Sequence, residues 1–451
     1  MMYERLKNAT LKDNVKVNLR GWVRSNRNNG TIGFIDFNDG TAFLNVQLVY
    51  EKDKVANFSE IDKYRTGYAI NVSGKVVLTE KSKQPFEVHI EEVEVINEAD
   101  SDYPLQKKRH TFDYLREIAH LRPRTNTFLA LHRVRSELTF AFHEFFHKND
   151  FIYVHTPILT GNDAEGAGQV FTVVTDNKNP HQFFGKETSL TVSGQLHVEA
   201  FAQAFQKVYT FGPTFRAEAS NTSRHAAEFW MLEPEMAFTD LNGNMDVIEA
   251  SLKYAISHIL KTCPDEMAFF NTHIEKGIIA RLEKLVNSDF KKITYDEAIK
   301  VLEKAQACGV KFSNNEIHWG MDLGSEHERY LCEKHVNGPL FVTNYPKDIK
   351  AFYMRLNDDG KTVAACDLLV PNIGELVGGS QREDRYDYLL RRMTDEGNIE
   401  DLEWYLDLRK YGGVQTSGFG IGFDRLLMYV TGITNIRDVQ PFGRAYGTIK
   451  Y

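Results

Sequence analysis

Phe211-Gly212-Pro213-Thr214-Phe215-Arg216-Ala217-Glu218, then Ala219-Ser220-Asn221-Thr222-Ser223-Arg224-His225, then Glu228-Phe229-Trp230-Met231-Leu232-Glu233-Pro234-Glu235 is the stretch on which the fold turns. The outer segments are short and rich in aromatic residues, and the middle is polar, so the stretch predicts two strands joined by a long turn. Hydroxyl, arginine and histidine side chains crowd the turn and suit the phosphates of a nucleotide. Two segments flank it. Upstream, Phe151-Ile152-Tyr153-Val154-His155-Thr156-Pro157-Ile158-Leu159-Thr160 predicts a helix end leading into a strand around a proline. Downstream, Ser417-Gly418-Phe419-Gly420-Ile421-Gly422-Phe423-Asp424-Arg425-Leu426-Leu427 predicts a glycine-rich strand running into a helix. A dinucleotide fingerprint needs a further parallel strand and an acidic residue about 20 positions on; the sequence nearly ends here, so that reading is set aside.

Farther upstream, residues 1–100 read as strands. Val15–Val23 alternates apolar and polar with period two, and Gly33–Phe37 runs into Asn38-Asp39-Gly40, a hairpin turn signal with Phe43–Val49 as the return strand. Ala69–Val77 and Phe86–Val95 supply two more. Five short strands in this span predict a five-stranded barrel of the oligonucleotide-binding type. Residues 101–125 predict a hinge with Pro104, Pro123 and the run Lys107-Lys108-Arg109-His110, which is either a solvated linker or a basic strip beside RNA. Helical spacing follows from Thr127 to about Lys148, and residues 126–451 predict an α+β domain with a more polar helical insertion at about 240–320.

The chain has 451 residues, 42% of them hydrophobic and 26% charged, which excludes a disordered or collagen-like chain. No stretch approaches the ~20 apolar residues a spanning helix needs, and the charged start has no apolar signal core. With 54 basic and 62 acidic residues the formal charge is −8, against indiscriminate nucleic-acid binding but not against a local basic groove. Cys263, Cys308, Cys332 and Cys366 lack C-x-x-C spacing, which argues against a disulfide scaffold or structural zinc and predicts a cytoplasmic chain. His143-Glu144-Phe145-Phe146-His147 matches H-E-x-x-H, whose spacing puts both imidazoles on one helical face for zinc. It lacks a downstream third ligand and sits among Phe140, Phe142, Phe145 and Phe146, so it predicts a packed helix.

The three segments in order resemble motifs 1, 2 and 3 of class II aminoacyl-tRNA synthetases. With the N-terminal barrel the match is to their aspartate/asparagine/lysine subgroup. Asp163-Ala164-Glu165-Gly166-Ala167-Gly168, Thr191-Val192-Ser193-Gly194-Gln195-Leu196 and Gly374-Glu375-Leu376-Val377-Gly378-Gly379-Ser380-Gln381-Arg382-Glu383 point to its bacterial asparagine-specific branch. The resemblance implies a ligase that joins an amino acid to ATP as an adenylate and then to the 3′ end of tRNA. An already anionic carboxylate attacks the α-phosphorus in that reaction, so no general base is needed and catalysis is positioning plus charge stabilisation. By resemblance, Arg216 contacts the α-phosphate and the amino-acid carboxylate, and Arg425 holds the γ-phosphate. Arg224 and His225 contact the outer phosphates, Phe229 stacks on adenine, Glu218 accepts from its amino group, and Gly422 lines the nucleotide site. Asp367 and Glu375 hold Mg²⁺.

The resemblance also places Ser193, Gln195 and the loop residue Glu165 near the substrate ammonium, with the loop's glycines letting it close as a lid, and Arg382 at the side-chain carbonyl. Aspartate enzymes of the subgroup carry a lysine three residues after the position of Gln195, where this chain has Val198, and an Asp where it has Glu233. An acceptor facing a carboxylate repels it, so L-asparagine and tRNA(Asn) are the expected substrates. An aspartyl or non-discriminating enzyme is the alternative. An asparagine synthetase on this fold leaves the barrel unexplained, and a decayed RNA-binding protein conflicts with the intact set of Arg216, Glu218, Asp367, Glu375 and Arg425. In the barrel, Phe34 either stacks on the middle anticodon base or is a core aromatic. Gln47 reads a base edge, and Arg24 and Arg27 grip phosphates. A homodimer through the segment around Pro157 is implied, and neither a membrane nor DNA is expected as a partner. Two positions depart from the family pattern. Gly443 stands in Pro441-Phe442-Gly443-Arg444 where a proline is usual, which puts a substrate role for Arg444 in doubt, and Gln169 stands where Glu is common.

Overall fold

The computed structural model describes residues 15–79, 84–161, 169–176, 178, 179, 183–220, 222–397 and 399–451. The chain divides into two compact units that part between Arg133 and Val134. The first holds strands β1 (Lys16–Asn28), β2 (Ile32–Asn38), β3 (Val46–Glu51), β4 (Ala69–Leu78) and β5 (Phe86–Asn97). They close into a barrel in the order β1-β2-β3-β5-β4, with β3 and β5 parallel and the other neighbours antiparallel. Period-two alternation turns Leu19, Val23, Ile35, Phe37, Leu48, Val72 and Val88 inward as one core. The ring closes where Leu48 and Val49 of β3 pair with Val88 and His89 of β5.

The expected hairpin turn at Asn38-Asp39-Gly40 is a longer loop, because β3 starts at Val46 rather than Phe43. Buried Asn38 staples that loop. Its amide nitrogen donates to Ala42 O at 3.2 Å and Asn45 Oδ1 at 3.0 Å, and its Oδ1 accepts from Gly40 N at 2.7 Å. Local side-chain bonds of this kind compete with a tight strand turn.

In the second unit an eight-stranded sheet carries the site. Helix α1 (Asn126–Lys148), within which the two units part, leads into β6 (Ile152–Tyr153). Helix α2 (Gln195–Phe205) precedes β7 (Lys207–Phe215), which hairpins through residues 216–227 to β8 (Glu228–Ala237). Helix α3 (Leu241–Thr262) follows, and farther on come β9 (Lys291–Thr294), β10 (Leu340–Pro346), β11 (Thr362–Val370) and β12 (Gly374–Gln381). Helix α4 (Ile399–Lys410), β13 (Thr416–Gly422) and helix α5 (Phe423–Thr431) complete the unit. The sheet order is β9-β10-β11-β12-β13-β8-β7-β6, antiparallel at its centre with a parallel strand at each edge. Every residue of β11 is buried, as expected of a central strand covered on both faces. The 240–320 segment contributes to this sheet. Its strand β9 pairs with β10, and α3 packs on the central strands, burying Ile248, Leu252, Ala255, Ile256 and Ile259 at helical spacing.

The H-E-x-x-H segment lies on α1 as a packed helix. Phe145 and Phe146 are buried, His143 Nδ1 lies 2.8 Å from the Tyr209 hydroxyl, and Glu144 accepts from Tyr254 and pairs with Lys148.

Candidate active site

The site grows from the register of β11, β12 and β13. Asp367 on β11 pairs across to Gly378 on β12, and Gly378 pairs to Gly420 on β13. The two glycines leave the sheet surface bare between flanking strands. A Cβ on Gly378 lies 3.2 Å from Glu375 Oε1 and 3.5 Å from Asp367 Oδ1, so both carboxylates border one space. The long β7–β8 turn folds over this floor, and β13 delivers Arg425 in the first turn of α5.

One cavity gathers the result. It is lined by Ser193, Gln195, Arg216, Glu218, Arg224, His225, Phe229, Glu233, Asp367, Glu375, Arg382, Gly422 and Arg425 together with Lys350 and Tyr353. Segments more than 200 residues apart in sequence thus meet, Arg216 and Arg425 among them. Glu165 lies outside the described residues.

Individual contacts refine the picture. Arg216 Cζ sits 5.4 Å from the Phe229 ring centroid. Arg425 Nη1 lies 3.8 Å from Glu375 Oε2, and His225 Nε2 lies 3.7 Å from Glu218 Oε2. Burial lowers the His225 pKa; the Glu218 charge opposes this, and the Arg425, Arg224 and Arg216 charges add to it. Arg224 is engaged on the cavity wall, donating to Ile373 O at 2.6 Å and to the Ser325 hydroxyl. Glu233 is buried, and its carboxylate accepts from the Ser193 hydroxyl and, at 3.0 Å, from Gly194 N. Burial pushes its pKa up. Arg382 is 3% exposed and forms a two-point pair with Glu235, Nε to Oε1 at 2.9 Å and Nη2 to Oε2 at 2.7 Å, while Nη1 donates to Ser380 Oγ at 2.7 Å.

Sequence reasoning missed several of these groups. Lys350 Nζ lies 2.6 Å from Asp367 Oδ2 and 4.0 Å from the Tyr345 ring centroid. Burial alone lowers its pKa, but the Asp367 and Glu375 charges hold the ammonium above its ordinary value. Nothing in Tyr345-Pro346-Lys347-Asp348-Ile349-Lys350 distinguishes that lysine from Lys347, so no local signal marks it. Glu328, whose Oε2 accepts from Glu375 N at 3.0 Å, was also unmarked. Val198, at the position of the aspartate enzymes' lysine, is fully buried against Val154, Ala202 and Val208 and brings no cation to the cavity.

In the barrel unit Phe34 is half-buried and stands outside the core cluster that takes Ile35 and Phe37, with Arg27 Cζ 5.4 Å from its ring centroid. Gln47 Nε2 donates to Glu87 Oε2 at 3.1 Å. Arg24 Nη2 donates to Asn126 Oδ1 at 3.0 Å.

This arrangement has counterparts. Residues 113–446 match the family model described as tRNA synthetases class II (D, K and N), and residues 17–96 match the OB-fold nucleic acid binding domain. The chain belongs to the class II tRNA synthetases of the D, K and N group. A relative from Clostridium beijerinckii named asparagine–tRNA ligase is 56% identical, over 97% of this chain and 96% of the relative. The crystal structure of asparaginyl-tRNA synthetase from Pyrococcus horikoshii complexed with asparaginyl-adenylate superposes with a TM-score of 0.87 at 36% identity, covering 97% of this chain and 96% of that one. The Entamoeba histolytica asparaginyl-tRNA synthetase in complex with asparaginyl-adenylate gives 0.85 at 25% identity, with 98% of each chain covered. The barrel coincides with the OB-fold match, and the cavity lies within the span of the catalytic family match.

Among the described residues no helix is long and apolar enough to cross a membrane. At the two departures, a Cβ on Gly443 would fall 3.1 Å from Arg437 Cα, a tight contact, and the main-chain carbonyl of Gln169 accepts from Ala217 N at 2.7 Å, a bond that does not depend on its side chain.

Proposed function

We propose that this chain is an asparagine–tRNA ligase, which activates L-asparagine with ATP to asparaginyl-adenylate and pyrophosphate and then esterifies it to tRNA(Asn). The convergence of Arg216, Arg425, Asp367 and Glu375 on one cavity beside a side-chain pocket holding Glu233 carries this reading. Arg216 bridges the α-phosphate and the attacking carboxylate, following the charge that develops between them. Arg425 takes the γ-phosphate, His225 the outer phosphates, and Phe229 and Glu218 the adenine. Arg224 joins the phosphates on release from Ile373 O and Ser325. Asp367 and Glu375 suit Mg²⁺, which favours carboxylates plus phosphate oxygens, and their joint border on the space above Gly378 supports that pairing. When bound, the ion neutralises phosphate charge.

Arg382 supplies a donor to the side-chain carbonyl of asparagine, while Glu233 accepts from its NH₂ group and repels a second carboxylate. Support comes from Val198, which leaves α2 without the cation an aspartate side chain needs. The barrel binds the anticodon, with Phe34 stacking on a base. Ile152, Tyr153 and Leu159, each nearly half exposed around Pro157, support dimerisation through that segment. The separated cysteines without C-x-x-C spacing support a place in the reducing cytoplasm.

ATP–pyrophosphate exchange with each amino acid tests the assignment. Asparagine should drive exchange at least about 100-fold faster than aspartate, since a buried like-charged acceptor rejects the wrong substrate by that order. Faster exchange with aspartate overturns it.

A further inference from the structure

Glu199 is fully buried on α2, one turn beyond Gln195. Four donors converge on its carboxylate. Gln195 Nε2 at 3.3 Å and the Tyr405 hydroxyl meet Oε2, while Arg409 Nη2 at 2.7 Å and Thr416 Oγ1 at 3.0 Å meet Oε1. An ionised carboxylate only accepts, so Glu199 fixes which end of the Gln195 amide it holds, and that end is the nitrogen. The other end, Gln195 Oε1, is buried with no hydrogen-bond partner among the described residues, on a residue that lines the cavity. A buried acceptor without a donor calls for one, and a substrate ammonium is a donor of the right kind.

We propose that Glu199 is the positioning residue of the amino-acid pocket. It sets the Gln195 amide with its oxygen reserved for the substrate's α-ammonium. It also anchors that setting to distant parts of the fold. Arg409 and Tyr405 tie it to α4. Thr416 ties it to the strand whose carbonyl at Thr416 receives Arg382 N at 2.8 Å. Its neighbour Glu235 holds the Arg382 guanidinium by the same device, so two buried acid–arginine pairs support the two ends of the amino acid. This inference rests on the asparagine-activating reading above.

Pyrophosphate exchange by the wild-type protein, Glu199→Gln and the double variant Gln195→Glu/Glu199→Gln tests it, with thermal melting recorded for each. In Glu199→Gln the amide at 195 loses its fixed sense, and the KM for asparagine should rise roughly tenfold while the KM for ATP stays within about twofold. In the double variant the new carboxylate at 195 accepts from the amide at 199 with one oxygen and from the ammonium with the other. Its asparagine KM should return to within about threefold of wild type. If Glu199→Gln melts too low to assay, Tyr405→Phe removes one of the four donors and should raise the asparagine KM alone, by about threefold. An unchanged asparagine KM, equal rises for asparagine and ATP, or a double variant that melts normally without rescue overturns the proposal. Wild-type exchange that asparagine does not drive overturns the functional reading itself, and this shows before any variant is compared.

Discussion

Lys350 Nζ and Asp367 Oδ2 lie 2.6 Å apart on the floor of the cavity, where both side chains are largely shielded from water. Burial and the neighbouring Glu375 charge push the Asp367 pKa up, and Lys350 opposes them. The ammonium thus occupies the electrostatic place that a divalent ion would share. Lys350→Met removes that cation at nearly constant volume. Breaking a buried pair on one side costs about 3–5 kcal/mol, so the melting temperature should fall clearly. Added Mg²⁺ should recover more of the loss in the variant than it adds to the wild type, read by calorimetry at fixed pH. Equal Mg²⁺ responses of the two proteins would mean that the ion does not settle at Asp367.

Arg216 tests the charge-stabilisation mechanism. Arg216→Lys keeps a positive charge but loses the planar fork that spans two anions. Exchange should slow by about 10²–10³-fold, the range for losing a donor aimed at developing charge. The melting temperature should stay near that of the wild type. A mild loss, under about fivefold, would put the bridging role elsewhere.

His225 makes a pH prediction whose sign is fixed. Burial holds its folded-state pKa below the ordinary 6.5, so between those values the unfolded chain binds more protons than the folded one. That contribution to stability is present above 6.5 and is lost as pH falls through the folded value. Bound phosphates attract the protonated ring, so ATP binding takes up a proton. The KM for ATP should therefore fall from about pH 7.5 to 5.5 more steeply in wild type than in His225→Gln. Parallel profiles would remove the ring from the phosphate site.

Phe34 separates the two units functionally. Phe34→Ala should raise the KM for tRNA by about 5- to 160-fold, equivalent to a base stack of about 1–3 kcal/mol. Pyrophosphate exchange, which needs no tRNA, should be unchanged. Equal damage to both would mark the ring as a structural aromatic despite its place outside the barrel core.

What the sequence revealed divides along physical lines. Period-two alternation announced each barrel strand because one face of each meets a core, and the order of the three motif segments announced the sheet around the cavity. Arg216, Phe229 and Arg425 were picked out by the resemblance of their segments to the class II motifs, and the fold brings all three to one cavity. Asn38 was misread as part of a tight turn because its side-chain bonds to Ala42 and Asn45 leave no local pattern. The strand β9 was hidden in a polar segment because Lys291 and Lys292 lie exposed at the sheet edge. Lys350 and Glu199 were invisible for a different reason. Their meaning comes from Asp367 and Arg409, and contacts across such separations leave no trace in composition or period.

The saturation of Glu199 bears on how this enzyme's choice of amino acid can change. Its two oxygens are shared by four donors from three stretches of chain, α2, α4 and β13. A replacement at Gln195 alone leaves one of those four places to be refilled beside Tyr405, Arg409 and Thr416. Drift toward a new substrate would have to move through several positions together, and a laboratory library confined to the visible wall of the cleft samples only its outermost layer.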